Sequence, residues 1–307
     1  MRVFITGGTG LVGTRLVTKL LGRGDKVVLL TRQTAEQITV RFPGAEVVHG
    51  DPMKPGPWQD AAADCDGVIH LAGENIFARR WNDEFKKLLL DSRTASTRNV
   101  VAAISRKPAR ADGTPKVLVN ASAIGIYGPT GDEELDENGP HGHDFLARVC
   151  IDWEKEAHAA EQAGVRTALV RVGIVLDKEG GALAKMLTPF KLCIGGRVSS
   201  GRQYMSWIHH EDMVGLFLLG LDHAEAKGPL NGTAPNPVTN YEFAKALGRA
   251  LHRPTIFPIP AFAMRLRFGE VANILTTGQR VLPRKPLALK YVYRFPTIDA
   301  ALTDVLA

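Results

Sequence analysis

The chain has only three cysteines in 307 residues, Cys65, Cys150 and Cys193. An odd number so widely spaced excludes a disulfide framework and suits a reducing compartment, so a cytoplasmic location is expected. No apolar run is long enough to span a bilayer. Met1-Arg2 leads directly into Val3-Phe4-Ile5, so no cleavable leader is expected. Zinc-finger spacing, helix-turn-helix cues and aromatic-basic RNA-binding motifs are missing. His141-Gly-His143 and His209-His210 lack a third ligand at metal-site spacing, so no metal site is expected. Basic residues outnumber acidic ones, 38 to 32, for a net charge of +6 and a pI of about 9.3. They are scattered along the chain, with short runs only at Arg79-Arg80 and Lys86-Lys87. Neither a nucleic-acid nor a membrane partner is expected; the plain reading of the surplus is a soluble protein with a basic surface, and an anionic cofactor or substrate is the next.

What is present is ordinary globular composition, 45% apolar and 23% charged,. The first half alternates short apolar runs with helical periodicity. Strands are expected over residues 3–6, 26–30, 46–49, 67–71, 116–121 and 166–172. In the first helix Val12, Leu16 and Leu20 recur every four residues, as do Gly13, Val17 and Leu21. Further helices are expected over 82–104 and 144–162. A repeated βαβ pattern implies an α/β fold with a doubly wound parallel sheet of the Rossmann type. After Asp177 turns and short helices dominate. The expected division is 1–176 as a dinucleotide-binding domain and 177–307 as a smaller lobe, with some later segments returning to the sheet.

The richest motif is Thr6-Gly7-Gly8-Thr9-Gly10-Leu11-Val12-Gly13, between the first strand and the first helix. Gly7 permits a tight turn, Gly10 lets backbone approach a pyrophosphate, and Gly13 lets helix and strand pack closely. The helix N-terminus adds free N–H groups and a positive dipole end. The second strand ends Leu30-Thr31-Arg32, with no acid to take the ribose hydroxyls. Thr31 and Arg32 therefore favour NADP(H) over NAD(H), since an arginine accommodates a 2′-phosphate. Asp51 follows the third strand, and Leu71, Ala72, Gly73 and Glu74 follow the fourth. Both groups lie at the carboxyl edge where such sheets bind ligands.

Together with Ser122, Tyr127-Gly128, Arg171 and Trp207-Ile208-His209-His210-Glu211-Asp212, these motifs resemble the extended short-chain dehydrogenase/reductase superfamily. Gly73-Glu74-Asn75-Ile76, Arg80-Trp81-Asn82, Ser92-Arg93, Cys150, Trp153-Glu154 and Gly278-Gln279-Arg280-Val281-Leu282-Pro283 are similar to its atypical, epimerase-like YfcH subgroup. The resemblance implies a short C-terminal segment over about 258–305. It also implies a general acid/base Tyr with a Lys four residues on, on the helix after the Ser122 strand. This sequence lacks both. Cys150 and Glu154, or Val149 and Trp153, have the spacing but cannot supply a lysine's charge. Tyr241 and Lys245 have the spacing too, but on a late helix, and are expected to be unrelated to the site. By resemblance, Ser122, Tyr127, Glu74, Asn75 and Arg93 are the candidate catalytic or substrate-binding residues, around one pocket above the nicotinamide. Ser122 and Glu74 also border the cofactor, and residues 207–212 are expected to close toward the same cleft. Two functions follow: an NADP(H)-dependent oxidoreductase or epimerase-like enzyme acting on an unknown small molecule, or a non-catalytic NADP(H)-dependent sensor.

Overall fold

A computed structural model describes residues 1–307. The seven strands of its central sheet are β1 (Arg2–Thr6), β2 (Lys26–Thr31), β3 (Glu46–His49), β4 (Gly67–His70), β5 (Val117–Ala123), β7 (Arg166–Val172) and β11 (Gly228–Gly232). They run in the order β11-β7-β5-β4-β1-β2-β3, and every neighbouring pair is parallel. The order reverses between β1 and β4, so the crevice of a doubly wound sheet opens there, outside Thr6 and His70.

Helices cover both faces, which is why the inner strands are apolar on both sides rather than alternating. Val3, Ile5, Val27 and Leu29 meet Leu16, Val17 and Leu20 of α1 (Leu11–Gly22) and Met213, Leu216 and Phe217 of the later helix α7 (His210–Asp222). On the other face Phe4, Val28, Val68 and Leu118 meet Trp58 of α3 (Trp58–Ala63), Val100 and Ile104 of α4 (Asp83–Ile104) and Ala157 of α5 (Phe145–His158). Adjacent strand residues thus serve opposite layers.

Two short helices on this frame escape the periodicity. One is α3, and the other is α2 (Ala35–Arg41), which a Thr34/Gln37 capping box starts,. Helix α5 stops at His158 and continues as a 3₁₀ turn over Ala159–Ala163. The rest of the chain builds a second core from α6 (Gly181–Lys191), α8 (Asn240–Leu251) and α12 (Ile298–Leu306). Two small ladders tie it down, β8 (Ile174–Leu176) with β10 (Trp207–His209) and β9 (Tyr204–Met205) with β12 (Val238–Thr239). A third, β6 (Glu134–Leu135) with β13 (Arg280–Val281), carries the C-terminal run back against Tyr127. Three short helices lie along that run: α9 (Ala261–Phe268), α10 (Asn273–Thr276) and α11 (Arg284–Ala288). No helix is long and apolar enough to cross a membrane.

Candidate functional site at the carboxyl edge of the sheet

The glycine-rich turn is shaped by backbone sterics. Gly7 has φ +70°, and a Cβ there would lie 2.7 Å from the Leu71 carbonyl carbon. At Gly13 a Cβ would lie 2.3 Å from Gly7 O, so α1 could not pack on the turn. Gly10 differs, since its Cβ would meet only Gly7 O, at 3.3 Å, and otherwise open space. Gly10 caps α1 without a side-chain hydrogen bond. The first-turn N–H groups of Leu11, Val12 and Gly13 are therefore left without intrahelical acceptors, and no acidic residue lies in that turn,. Such an end attracts an anion through its N–H groups and the helix dipole. Gly8 has another task, for a Cβ there would run into Leu29 Cδ1 at 2.3 Å.

Thr6 is committed to the protein. Its Oγ1 lies 2.5 Å from His70 Nδ1 and accepts from Ala72 N at 3.3 Å, while His70 Nε2 reaches Ser96 Oγ at 3.1 Å. Burial drives the His70 pKa down to about 3, so the ring is neutral and fastens β1 to β4 and α4,.

At the β2 edge the buried Thr31 Oγ1 accepts from Gln33 N, and Arg32 is exposed without a protein partner. No motif points to Arg41, which reaches back from the end of α2. It donates to Thr9 O at 3.3 Å and to Thr14 Oγ1 at 2.6 Å. The Arg41 guanidinium thus flanks the turn, and Arg32 follows the adjoining end of β2. Arg41 could not be read from the sequence because its approach depends on how α2 packs. Asp51 places one carboxylate oxygen on Met53 N, 3.0 Å away, as a turn cap.

The five candidate catalytic residues fall into two separate groups. Glu74, Asn75 and Arg93 stay together at the exit of β4. Arg93 donates to the carbonyl oxygens of Glu74 (3.1 Å) and Leu89 (3.0 Å) and stacks over the Trp153 ring at 5.1 Å. It packs beside Gly73, where a Cβ would stand 3.4 Å from its Cζ. Arg93 forms no ion pair, and burial lowers its pKa, so its charge is incompletely compensated,. Glu74 forms no ion pair either, and its Oε1 accepts only from Asn75 N, at 3.3 Å.

Ser122 and Tyr127 belong to the second group and turn into the protein, contrary to the expectation that they face substrate. Ser122 Oγ donates to Glu154 Oε1 at 2.6 Å. The same carboxylate receives Arg171 in a bidentate pair, both contacts 2.9 Å. Arg171 also donates to Tyr127 O–H at 2.8 Å, and that hydroxyl donates to Asn231 Oδ1 at 2.7 Å. Burial works against the Arg171 charge, and the Glu154 carboxylate more than offsets it, so the guanidinium pKa is raised. Burial likewise pushes the Tyr127 hydroxyl up to about 12. The network ends in Glu137, whose carboxylate accepts from Asn231 N (2.9 Å) and Lys285 N (3.1 Å). It joins β5, α5, β7, β11 and the C-terminal run.

The acid/base pair is absent from the structure as well. A Cβ on Gly125, just past β5, would lie 3.6 Å from Leu146 Cβ and 3.9 Å from Cys150 Sγ. Cys150 and Glu154 both face the end of β5, the thiol beside Gly125 and the carboxylate on Ser122, and neither supplies a lysine's charge. Burial raises the Cys150 thiol to about 12, so it is inert,. Lys245 Nζ lies 5.7 Å over the ring of the exposed Tyr241 on α8, a helix of the second core. The segment 207–212 also differs from expectation. Trp207, Ile208 and His209 are fully buried, and the Asp212 carboxylate receives the N–H groups of Arg294 (2.8 Å) and Phe295 (2.9 Å). It clamps the C-terminal run instead of closing over a cleft.

Comparison with known proteins agrees with this architecture. Residues 3–231 match the NAD dependent epimerase/dehydratase family, and residues 259–305 match a domain of unknown function, DUF1731. The chain is 40% identical over 310 residues to the chloroplastic epimerase family protein SDR39U1 homolog of Arabidopsis thaliana, covering 100% of this chain and 87% of that one. It is 39% identical over 319 residues to epimerase family protein SDR39U1 of Mus musculus, covering both chains fully. The crystal structure of human SDR39U1 (isoform 2) with NADPH superposes with a TM-score of 0.85 at 36% identity, covering 99% of each chain. A nucleoside-diphosphate sugar epimerase of Corynebacterium glutamicum gives 0.79 at 31% identity, over 100% of this chain and 58% of that one. The chain belongs to the NAD dependent epimerase/dehydratase family.

Proposed function

We propose that this protein binds NADP(H) at the glycine-rich turn and acts on a small anionic or hydroxylated molecule as an atypical epimerase-like oxidoreductase. The observation that carries the cofactor choice is the pair Arg32 and Arg41 beside an uncapped α1, with no carboxylate at the end of β2. The open space at Gly10 fits a pyrophosphate. The NADPH-bound human relative supports the same choice. Residues 1–176 hold the cofactor and carry Glu74, Asn75 and Arg93, and residues 177–307 form the smaller lobe beside them.

NADP(H), when bound, supplies or accepts a hydride. The chain's own contribution is electrostatic and protonic. Arg93, without a counter-ion, holds an anionic or developing negative oxygen of the substrate. Glu74, free of any ion pair, takes or returns a proton at its carboxylate. Asn75 orients the substrate by hydrogen bonding. Ser122 and Tyr127 hold the edge in shape and do not touch substrate.

The sensor reading has its own support: Cys150 and Glu154 have the spacing of the acid/base pair, but burial pushes the thiol up to about 12 and the carboxylate is held by Ser122 and Arg171. The two readings separate when purified protein with NADPH is offered a panel of small carbonyl compounds and nicotinamide absorbance is followed. An enzyme oxidises NADPH with at least one of them, and Glu74→Gln and Arg93→Met each slow that turnover a hundredfold or more, on the order of a lost acid/base or oxyanion-stabilising group. No oxidation with any compound, while NADPH still binds, supports the sensor.

A further inference from the structure

Charge is distributed unevenly along this chain in a way that only the fold reveals. Residues 180–210 contain four basic residues and no acidic one, and residues 243–269 contain five and none. Nine of the 38 basic residues and none of the 32 acidic ones therefore lie in these stretches, leaving 29 basic against 32 acidic in the remainder. The fold lays the two side by side. Ile259 N donates to Arg197 O and Ser199 N to Ile259 O, both at 2.8 Å, and Arg253 Nε donates to Lys191 O at 3.3 Å. Gly196 sits against the backbone of Phe257, where a Cβ would meet the Phe257 oxygen at 2.0 Å.

The same surface exposes large apolar side chains. Leu192 and Ile194 follow α6, and Ile256 and Phe257 (62% exposed) lie on the adjoining strip, which Pro254, Pro258 and Pro260 stiffen. Phe262 (72%) and Leu266 (75%) follow on α9, one helical turn apart, and no residue of that helix is buried,. Arg265 and Arg267 flank Leu266 and are exposed. Clustered apolar exposure is uncommon on a protein that stands alone, and here exposed Lys191, Arg197, Arg253, Arg265 and Arg267 lie in the same segments,.

We propose that this face is a peripheral docking surface for an anionic lipid bilayer. Phe257, Phe262, Leu266 and Ile256 enter the headgroup boundary, and Lys191, Arg197, Arg253, Arg265 and Arg267 contact acidic headgroups. Charge selects this occupant. A second copy docked on the same face would oppose two surfaces built from these basic stretches, which like-charge repulsion disfavours. Nucleic acid would leave the aliphatic Leu192, Ile194, Ile256 and Leu266 unused, since its polar backbone and stacking bases offer them little. The linear sequence suggests no membrane partner because its basic residues look dispersed until α6 and the 253–267 strip are brought together.

The test is co-sedimentation of the full chain with phosphatidylcholine vesicles, with and without phosphatidylserine. The protein is expected to pellet with the phosphatidylserine vesicles only, and the binding to weaken as salt is raised. Phe257→Ser with Phe262→Ser, and separately Arg265→Gln with Arg267→Gln, should each weaken it by roughly tenfold or more. Circular dichroism and NADPH affinity should be unchanged, because these side chains are exposed and outside the cofactor turn. Failure to pellet with phosphatidylserine vesicles overturns the proposal, and so does pelleting that neither pair of substitutions alters. A concentration-dependent dimer of the full chain that Phe257→Ser with Phe262→Ser abolishes would also overturn it, assigning the face to a second copy.

Discussion

Two polar regions meet at the carboxyl edge of the sheet, and they treat their hydrogen-bonding groups in opposite ways. Around Ser122 each polar side chain is spoken for: Glu154 holds Ser122 and Arg171, Arg171 holds Tyr127, and Tyr127 holds Asn231. At the glycine-rich turn the first-turn N–H groups of α1 lack a cap, Arg32 has no partner, and Gly10 faces open space. A buried polar group left unpaired costs free energy, so a saturated network belongs to architecture. Groups left unsatisfied at an accessible edge are available to a ligand. On the function proposed above, Arg93 and Glu74, which lack counter-ions, go with the ligand side, and the hydrogen bonds of Ser122 and Tyr127 place those two with the architecture.

The contrast breaks most visibly at the buried ion pair. Glu154→Ala leaves Arg171 charged, buried and unpaired, which should cost about 3–5 kcal/mol in urea unfolding. A variant as stable as the parent would mean that the network is incidental. At the turn the effect should fall on ligand rather than fold. Gly10→Val should abolish dinucleotide binding and keep the circular dichroism spectrum, since its side chain enters only open space. Gly13→Val, driven into Gly7 O, should unfold or severely destabilise the protein. Equal behaviour of the two valines would remove the distinction between cradle and packing.

A smaller effect comes from pH. Burial lowers His70 to about 3 and, with neighbouring His210 adding to it, His209 to about 4, both below the ordinary 6.5. The unfolded chain therefore takes up their protons first. Their contribution to stability is complete above about pH 6.5 and is lost as pH falls toward the folded values. Going from about pH 7 to about pH 5 should cost roughly 2 kcal/mol per histidine, read from unfolding midpoints. A flat profile would show these rings accessible to protons in the folded state. At the bottom of the scale, Tyr241→Phe and Lys245→Met should change neither stability nor cofactor affinity measurably. Loss of turnover in either, with the fold intact, would move the site to α8.

Much of this was legible in the sequence, and what was not has a physical reason. The strands at 46–49 and 166–172 fall where apolar runs between turn residues place them, and β11 returns to the sheet from the later half. Helices α2 and α3 are too short for a 3.6-residue period to emerge, although Thr34 and Gln37 carried a capping signal. Motif position located Ser122 and Tyr127 at the edge but could not give the direction of their side chains, which Glu154 and Arg171 decide from other elements. A buried arginine on a strand requires a carboxylate, and that demand was the available clue to Glu154. Arg41 had no local signal, because its approach to Thr9 and Thr14 is a tertiary contact.

The central claim is that unsatisfied groups at the turn select NADP(H). Fluorescence titration of the full chain with NADPH and with NADH tests it most directly. The account expects NADPH to bind more tightly by about 1.5–3 kcal/mol, the range for a charge-assisted hydrogen bond, with Arg32→Ala and Arg41→Ala each removing part of that margin. Equal affinities, or tighter NADH, in the unmodified chain would contradict it.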